Sequence, residues 1–443
     1  MGRTSGAFNI HGLLAALLAI VLTTGLAREL LIGDFASSKK VQITFWNGFT
    51  GPDGIVMLDI INRFNKENPD VQVTMQRIPW ATYYNKLLVA GIDGRGPEVF
   101  VVHADAIPRV KRGNFIDSAE PVFQGKDGID RNDFNQFVLD RVRFKGKFLG
   151  VPLDIHPQGF YCDTDMLKKA GIVDSEGNPR LPKTRQEFAT ALKAMTIEPT
   201  ADHPEKQWGF ALTNWGANMR NLMDQFDGHY FDSKGNADLN CPENVKALEY
   251  LSGLTRRQEV PPPSNGLGWL GFRQKQVGMV WDGVFMLGDL TRVDAFRYKG
   301  GMIPTIGNHP GALANSHCLC IRKNLTAQQH DAVVRFIRFI SNHSLDWAAA
   351  GQIPARVSLR NTERFKAMQV QHAFAEQIPY LQYQPKTPLI FDMGFILDQA
   401  CEHAIRLQET PKQALDEANT SFQAAIDRDR QEYPEDQPGG DQP

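Results

Sequence analysis

An α/β fold in two lobes is the architecture this sequence predicts, on three observations. Strand-like and helix-like stretches alternate along most of the chain, as in a mostly parallel sheet. Residues 41–54 read as an apolar strand that stops in a glycine-rich turn and opens straight into a helix. The length, 443 residues, exceeds what one hydrophobic core organises.

The first forty residues stand apart. Residues 12–26 are a nearly unbroken apolar run, shorter than the roughly 20 residues a spanning helix needs and suited to a signal-peptide core. Gly25 and Ala27 occupy the two positions a signal peptidase reads, so cleavage before Arg28 is expected. Arg3 as the single early cation, and His11 beside the apolar run, leave an uncleaved anchor open. Either way the bulk of the chain is exported.

The strand from Val41 leads to a helix for which Thr50 suits the N-cap, Pro52 the first turn and Asp53 a capping carboxylate. Ile55, Leu58, Ile61 and Phe64 recur at helical spacing until Asn68 and Pro69 end the pattern. Taken alone, this fits the first βα unit of any α/β protein. Residues 71–75 and 97–102 read as further strands, 82–91 and 104–112 as helices, and 124–135 as a surface loop. Residues 148–153 form a buried strand ending in a turn at 154–156. The middle third is more helical, at 183–195, 241–258 and 284–296, with a proline-rich surface turn at 261–266. Residues 302–304 and 316–321 look like returning strands, and 327–341 an amphipathic helix with Val333, Val334, Phe336, Ile337 and Ile340 on its apolar face. The tail from Gln431 is expected to be disordered.

A formal net charge of −2 and an ordinary globular composition give no basic excess for nucleic acid. Five cysteines make no disulfide framework in a chain this long. Buried thiols are expected, with one long-range bridge left open. Cys318 and Cys320 beside His317 are too few for a zinc site, so neither a metal nor a cofactor is predicted.

The motifs Phe45-Trp46-Asn47-Gly48 with Gly51-Pro52-Asp53-Gly54, and Ile78-Pro79-Trp80 with Tyr83-Tyr84 and Lys86-Leu87, are followed by residues 150–157 (GVPLDIHP), Trp281-Asp282-Gly283, Ser316-His317 and residues 351–356 (GQIPAR). In this order the chain resembles the extracellular solute-binding proteins of carbohydrate ABC importers, the group with maltose- and glycerol-phosphate-binding members. The resemblance implies a periplasmic-binding-protein-like fold: two α/β lobes joined by a multi-segment hinge, with a ligand cleft between them. Mapped here, residues 1–40 are signal or anchor, 41–153 plus 307–353 one lobe, 154–306 plus 354–433 the other, and 434–443 a tail. Crossings then fall near Asp154, Ile306 and Pro354. The implied function is extracytoplasmic capture of a small carbohydrate or polyol and delivery to a membrane permease, by a monomer with no enzymatic role. Lipoprotein members carry an acylated cysteine near the start; here no cysteine precedes Cys162.

A sugar site wants exposed aromatic rings for C–H faces and paired polar groups for hydroxyls. Trp46, with Asn47 beside it, is the stacking candidate of the first lobe; burial under the helix is the competing role. Asp53 and Asp105 follow strands as ligand-facing carboxylates do, Asp105 with an N-cap as its other reading. Asp154 and His156 sit at the first crossing, where the resemblance places ligand contacts, and Arg356 is the polar clamp or a surface ion pair at the last. Trp215 and Trp269 are candidates from the second lobe, with burial as their alternative. After Gly283 the family commonly has a small residue and then an aromatic, often tryptophan; here the aromatic is Phe285. That departure bears on ligand identity more than on ligand class.

Three other readings compete. An anchored sensor or chemoreceptor partner would share the binding chemistry. An exported glycoside hydrolase needs two of Asp53, Asp105 and Asp154 to converge about 5 Å apart or somewhat more. Iron capture by Tyr83 and Tyr84 is the alternative ligand chemistry; no Gly-x-Ser-x-Gly elbow or phosphate loop is present.

Overall fold

The computed structural model describes residues 40–201, 204–292 and 296–434. The expected signal or anchor segment and most of the expected tail therefore lie outside the described residues.

The first sheet is ordered Val71–Arg77, Val41–Asn47, Val99–His103, His317–Ile321, Val151–Pro152. Val41–Asn47 runs parallel to both neighbours, while His317–Ile321 runs antiparallel to Val99–His103. Central strands of this kind are buried on both faces, which is why Val99 to Val102 are all apolar. Helices Pro52–Glu67, Trp80–Ile92 and Ala327–Asn342 flank it. The last buries the apolar face the sequence predicts, with Phe336 edge-on to Phe45 at 5.5 Å.

Pro52–Glu67 forms where expected but turns a different face inward. Met57, Ile60, Ile61 and Phe64 are buried, whereas Ile55 is 50% and Leu58 40% exposed. The N-cap is Gly51 rather than Thr50, with no side-chain cap, and Pro52 takes the first helical position. Gly48 has a packing reason: a Cβ there would lie 2.1 Å from the Trp80 ring, so only glycine lets that indole close over the turn.

The second sheet is built on one long strand, Asp154–Asp163, all ten residues of it buried. The expected turn at 154–156 is thus the start of a strand. Ile353–Pro354 and Ala312–Asn315 pair with its first half. Met279–Gly283 and Tyr298–Gly301 pair with its second. Tyr298–Gly301 takes the place of the strand expected at 302–304. The helix expected at 284–296 is reduced to a 3₁₀ turn, Val284–Met286, and one turn at Leu287–Leu290; residues 293–295 lie outside the described residues. Helices Trp215–Gln225, Pro242–Arg256, Ile390–Ile405 and Pro411–Glu432 pack on this lobe, the last continuing past Gln431.

Ala312–Asn315, assigned above to the first lobe, belongs to the second sheet, so that crossing falls at Ser316 and not at Ile306. The three crossings touch: Leu153 N–H donates to His317 O at 2.8 Å and Ala355 N–H to Leu153 O at 3.3 Å. All five cysteines are free and buried. No helix among the described residues is long and apolar enough to cross a membrane.

Gly48→Ala is expected to cost about 1–3 kcal/mol of stability, the usual range for overpacking, measured by urea denaturation.

Candidate functional site

Strands of the first sheet end with their carboxyl edges toward the crossings, the position where open α/β sheets present ligands. His103 closes Val99–His103, and His317 opens the antiparallel strand beside it as its register partner. His156 is the third residue of the long strand of the second sheet. Their rings meet, with centroids 4.2 Å apart for His156 and His317, 4.9 Å for His103 and His317, and 5.5 Å for His103 and His156.

Asp154 holds two of these rings. Its carboxylate accepts from His156 Nδ1 at 3.0 Å, His317 Nδ1 at 2.7 Å, His317 N at 3.0 Å and Trp347 Nε1 at 2.7 Å. Burial opposes its ionisation, but His317 and His156 outweigh burial and hold the carboxyl well below the usual range. His103 Nδ1 lies 2.6 Å from the Tyr84 hydroxyl. Burial, with the neighbouring imidazoles, lowers the basicity of His103 and His156, so both are neutral near pH 7. Trp80 covers the group, its ring 4.3 Å from His103 and stacked on His317 at 5.9 Å. Asp105 Oδ2 accepts from Gln384 Nε2 at 2.8 Å, and Gln384 Oε1 accepts from Arg220 at 3.0 Å, a relay from a helix of the second lobe to a carboxylate of the first.

A cavity of about 450 Å³ opens in the second lobe, with Thr213, Asn214, Trp215, Trp269 and Asp282 in its lining. Asn214 caps Trp215–Gln225 by accepting from Ala217 N, which places Trp215 at the helix start. Trp269 is fixed by its Nε1, which donates to Asp289 at 2.8 Å. Asp282 is the penultimate residue of Met279–Gly283; burial pushes its carboxyl up to about 6.

A model of the bacterial extracellular solute-binding protein family matches residues 59–369. The chain belongs to this family. It is 23% identical over 445 residues to the sn-glycerol-3-phosphate-binding periplasmic protein of Escherichia coli (strain K12), covering 90% of this chain and 94% of that one. It is 25% identical over 238 residues to an arabinooligosaccharide-binding protein of Bacillus subtilis (strain 168), covering 52% of this chain and so about half, 51%, of that relative. An ABC substrate-binding protein from Listeria monocytogenes in complex with cycloalternan superposes with a TM-score of 0.76 at 18% identity, over 88% of this chain and 100% of that one. The sugar-binding protein MalE from Xanthomonas citri gives 0.75 at 18%, over 89% and 100%. At such identity the likeness carries the fold, and the expected two-lobed binding-protein architecture is the one found.

The residues expected to serve this solute-binding protein divide into three groups. Trp215 and Trp269 come together in the cavity. Asp105, Asp154 and His156 gather at the crossing, with the half-buried Asp53 close to His317. The rest stand apart. Trp46 is buried beneath the Lys86 ammonium, which sits 5.0 Å from its ring. Asn47 is buried and accepts from Phe49 N. Gly283 receives the Tyr161 hydroxyl on its carbonyl, and the Phe285 ring folds over its Cα; neither residue lines the cavity. Arg356 spends its guanidinium on Asp133 and Asn342, so the surface-pair reading describes its observed contacts and the ligand clamp does not. Asp154 corrects the expectation of a sugar-facing carboxylate, since four donors already occupy it.

His103 was not singled out from the sequence, and His317 only as part of a motif. Both lie at strand ends next to the turn that feeds the crevice, a signal available in the pattern. Tyr83, a candidate for iron, donates its hydroxyl to Val101 O at 2.7 Å in the core.

Asp154→Ala is expected to cost about 3–5 kcal/mol in urea denaturation, the range for stripping one partner from a buried charged network. Arg356→Ala should leave solute affinity unchanged in calorimetry while lowering stability by about 1 kcal/mol.

Proposed function

We propose that this protein captures a saccharide or polyol-type solute outside the cytoplasm and delivers it to an ABC-type permease, with no enzymatic role of its own. The observation that carries the reading is the cavity in which Trp215 and Trp269 stand with Asn214, Thr213 and Asp282. Indole faces suit sugar C–H patches, and the carboxylate and amide suit hydroxyls. Relatives named for an arabinooligosaccharide and for glycerol phosphate support a polyhydroxylated ligand. The coordination of Asp154 supports binding rather than hydrolysis. A carboxylate saturated by four donors has no lone pair to lend as acid, base or nucleophile. Closure of the lobes on the solute supplies the differential contacts by which a permease distinguishes loaded from empty protein.

A calorimetric screen of oligosaccharides, polyols and sugar phosphates tests the reading. For the ligand found, Trp269→Ala and Trp215→Ala should each weaken binding by about 1–2 kcal/mol; unchanged affinity in both would remove the cavity from the site.

Asp282 adds a pH dependence. A hydroxyl donated to its carboxylate favours the ionised form, so affinity should hold above pH 6 and fall as the pH drops through about 6. Asp282→Asn should bind with no such fall, by calorimetry between pH 7.5 and about 5.

A further inference from the structure

We propose that His103, His156 and His317 form a binding site for a divalent transition-metal cation of zinc-like coordination chemistry at the crossing between the lobes. One ring nitrogen from each lies within 4.8 Å of those of the other two. Nδ1 is already engaged in every ring, by Asp154 for His156 and His317 and by Tyr84 for His103. Nε2 is the nitrogen left in each, and no described residue bonds it.

The hydrogen-bond pattern suits a cation. Asp154 is surrounded by donors, so His156 and His317 place a proton on the Nδ1 that faces it and leave the lone pair on Nε2. This is the carboxylate–histidine–metal arrangement, in which an outer carboxylate fixes the tautomer and strengthens the imidazole as a donor. At His103, ligation through Nε2 makes Nδ1–H the donor to the Tyr84 hydroxyl.

Nitrogens ligating zinc at about 2.0–2.1 Å in a tetrahedron stand roughly 3.3 Å apart, so small ring movements that draw the three Nε2 atoms together complete the set. Three imidazoles leave a fourth position for water or for an oxygen of a bound solute. Asp105 lies close enough for its charge to act on His156 and adds to the attraction for a cation. Since His103 ends a strand of the first sheet and His156 belongs to the second, an ion here ties the two lobes together.

The proposal stands independently of the solute, because it is tested with no carbohydrate present. Chelator-stripped, dialysed protein is titrated with Zn²⁺ by calorimetry and with Co²⁺ by visible absorption. The expected result is one ion per chain, the absorption of four-coordinate cobalt, and a raised melting temperature. His103→Asn keeps a polar group toward Tyr84 and removes Nε2; binding should weaken by about a hundredfold or more, beyond the 10–100-fold typical of losing an outer partner. The other described group with metal-ligand spacing is His229, Cys241 and Glu243, so His229→Ala should bind as the unsubstituted chain does. Imidazole ¹⁵N spectra of the unsubstituted protein give a reading that needs no variant: zinc should move the Nε2 signals of three histidines out of eleven. Absence of a bound ion, binding intact in His103→Asn, binding lost in His229→Ala, or unmoved Nε2 signals would each overturn the proposal.

Discussion

The Asp154 carboxylate is the constraint on which the interlobe region depends. A charge that deep survives because four donors converge on it, from the backbone and ring of His317, from His156 and from Trp347. The four donors come from three residues around the crossings, so the carboxylate fastens the start of the second sheet to the edge of the first. It also sets the tautomers of two imidazoles, which links the mechanics of the hinge to the chemistry at its surface.

The same logic of committed partners separates site from scaffold elsewhere. Arg356 and Trp46 have the right residue types for a sugar site, but the guanidinium is held by Asp133 and Asn342 and the indole is buried beneath a lysine. Trp215 and Trp269 are also tethered, through Leu212 O and Asp289, yet both line an open cavity. A tether that leaves the ring exposed to a cavity preorganises a binding face. One that buries the ring does not.

Much of the fold was legible because it is written locally. The strand–turn–helix from Val41 to Glu67 and the amphipathic helix Ala327–Asn342 follow from period and flanking residues. The errors also have local causes. Ile55 and Leu58 match the spacing of the buried stripe as well as Met57 and Ile60 do, and only packing against the sheet decides the rotation. The turn expected at 154–156 is strand instead, because Asp154 and Ile155 pair with Pro354 and Ile353, and His156 and Pro157 with Asn315 and Ala314, partners far away in the chain. Ala312–Asn315 was placed in the wrong lobe because sheet membership is a non-local property.

By itself the sequence determined the alternation of elements, the two-lobed class and the family, since these rest on periodicity, turn chemistry and motifs in order. Only the tertiary structure decided what the polar residues do. His103, His156 and His317 are separated by long stretches of chain, and nothing in their spacing brings them together. They meet because Val99–His103 ends and His317–Ile321 begins at the edge where the chain crosses into the long strand that carries His156. Asp154 likewise reads as a free carboxylate until the fold surrounds it with donors, because a hydrogen-bond partner is fixed by three-dimensional proximity and not by order along the chain.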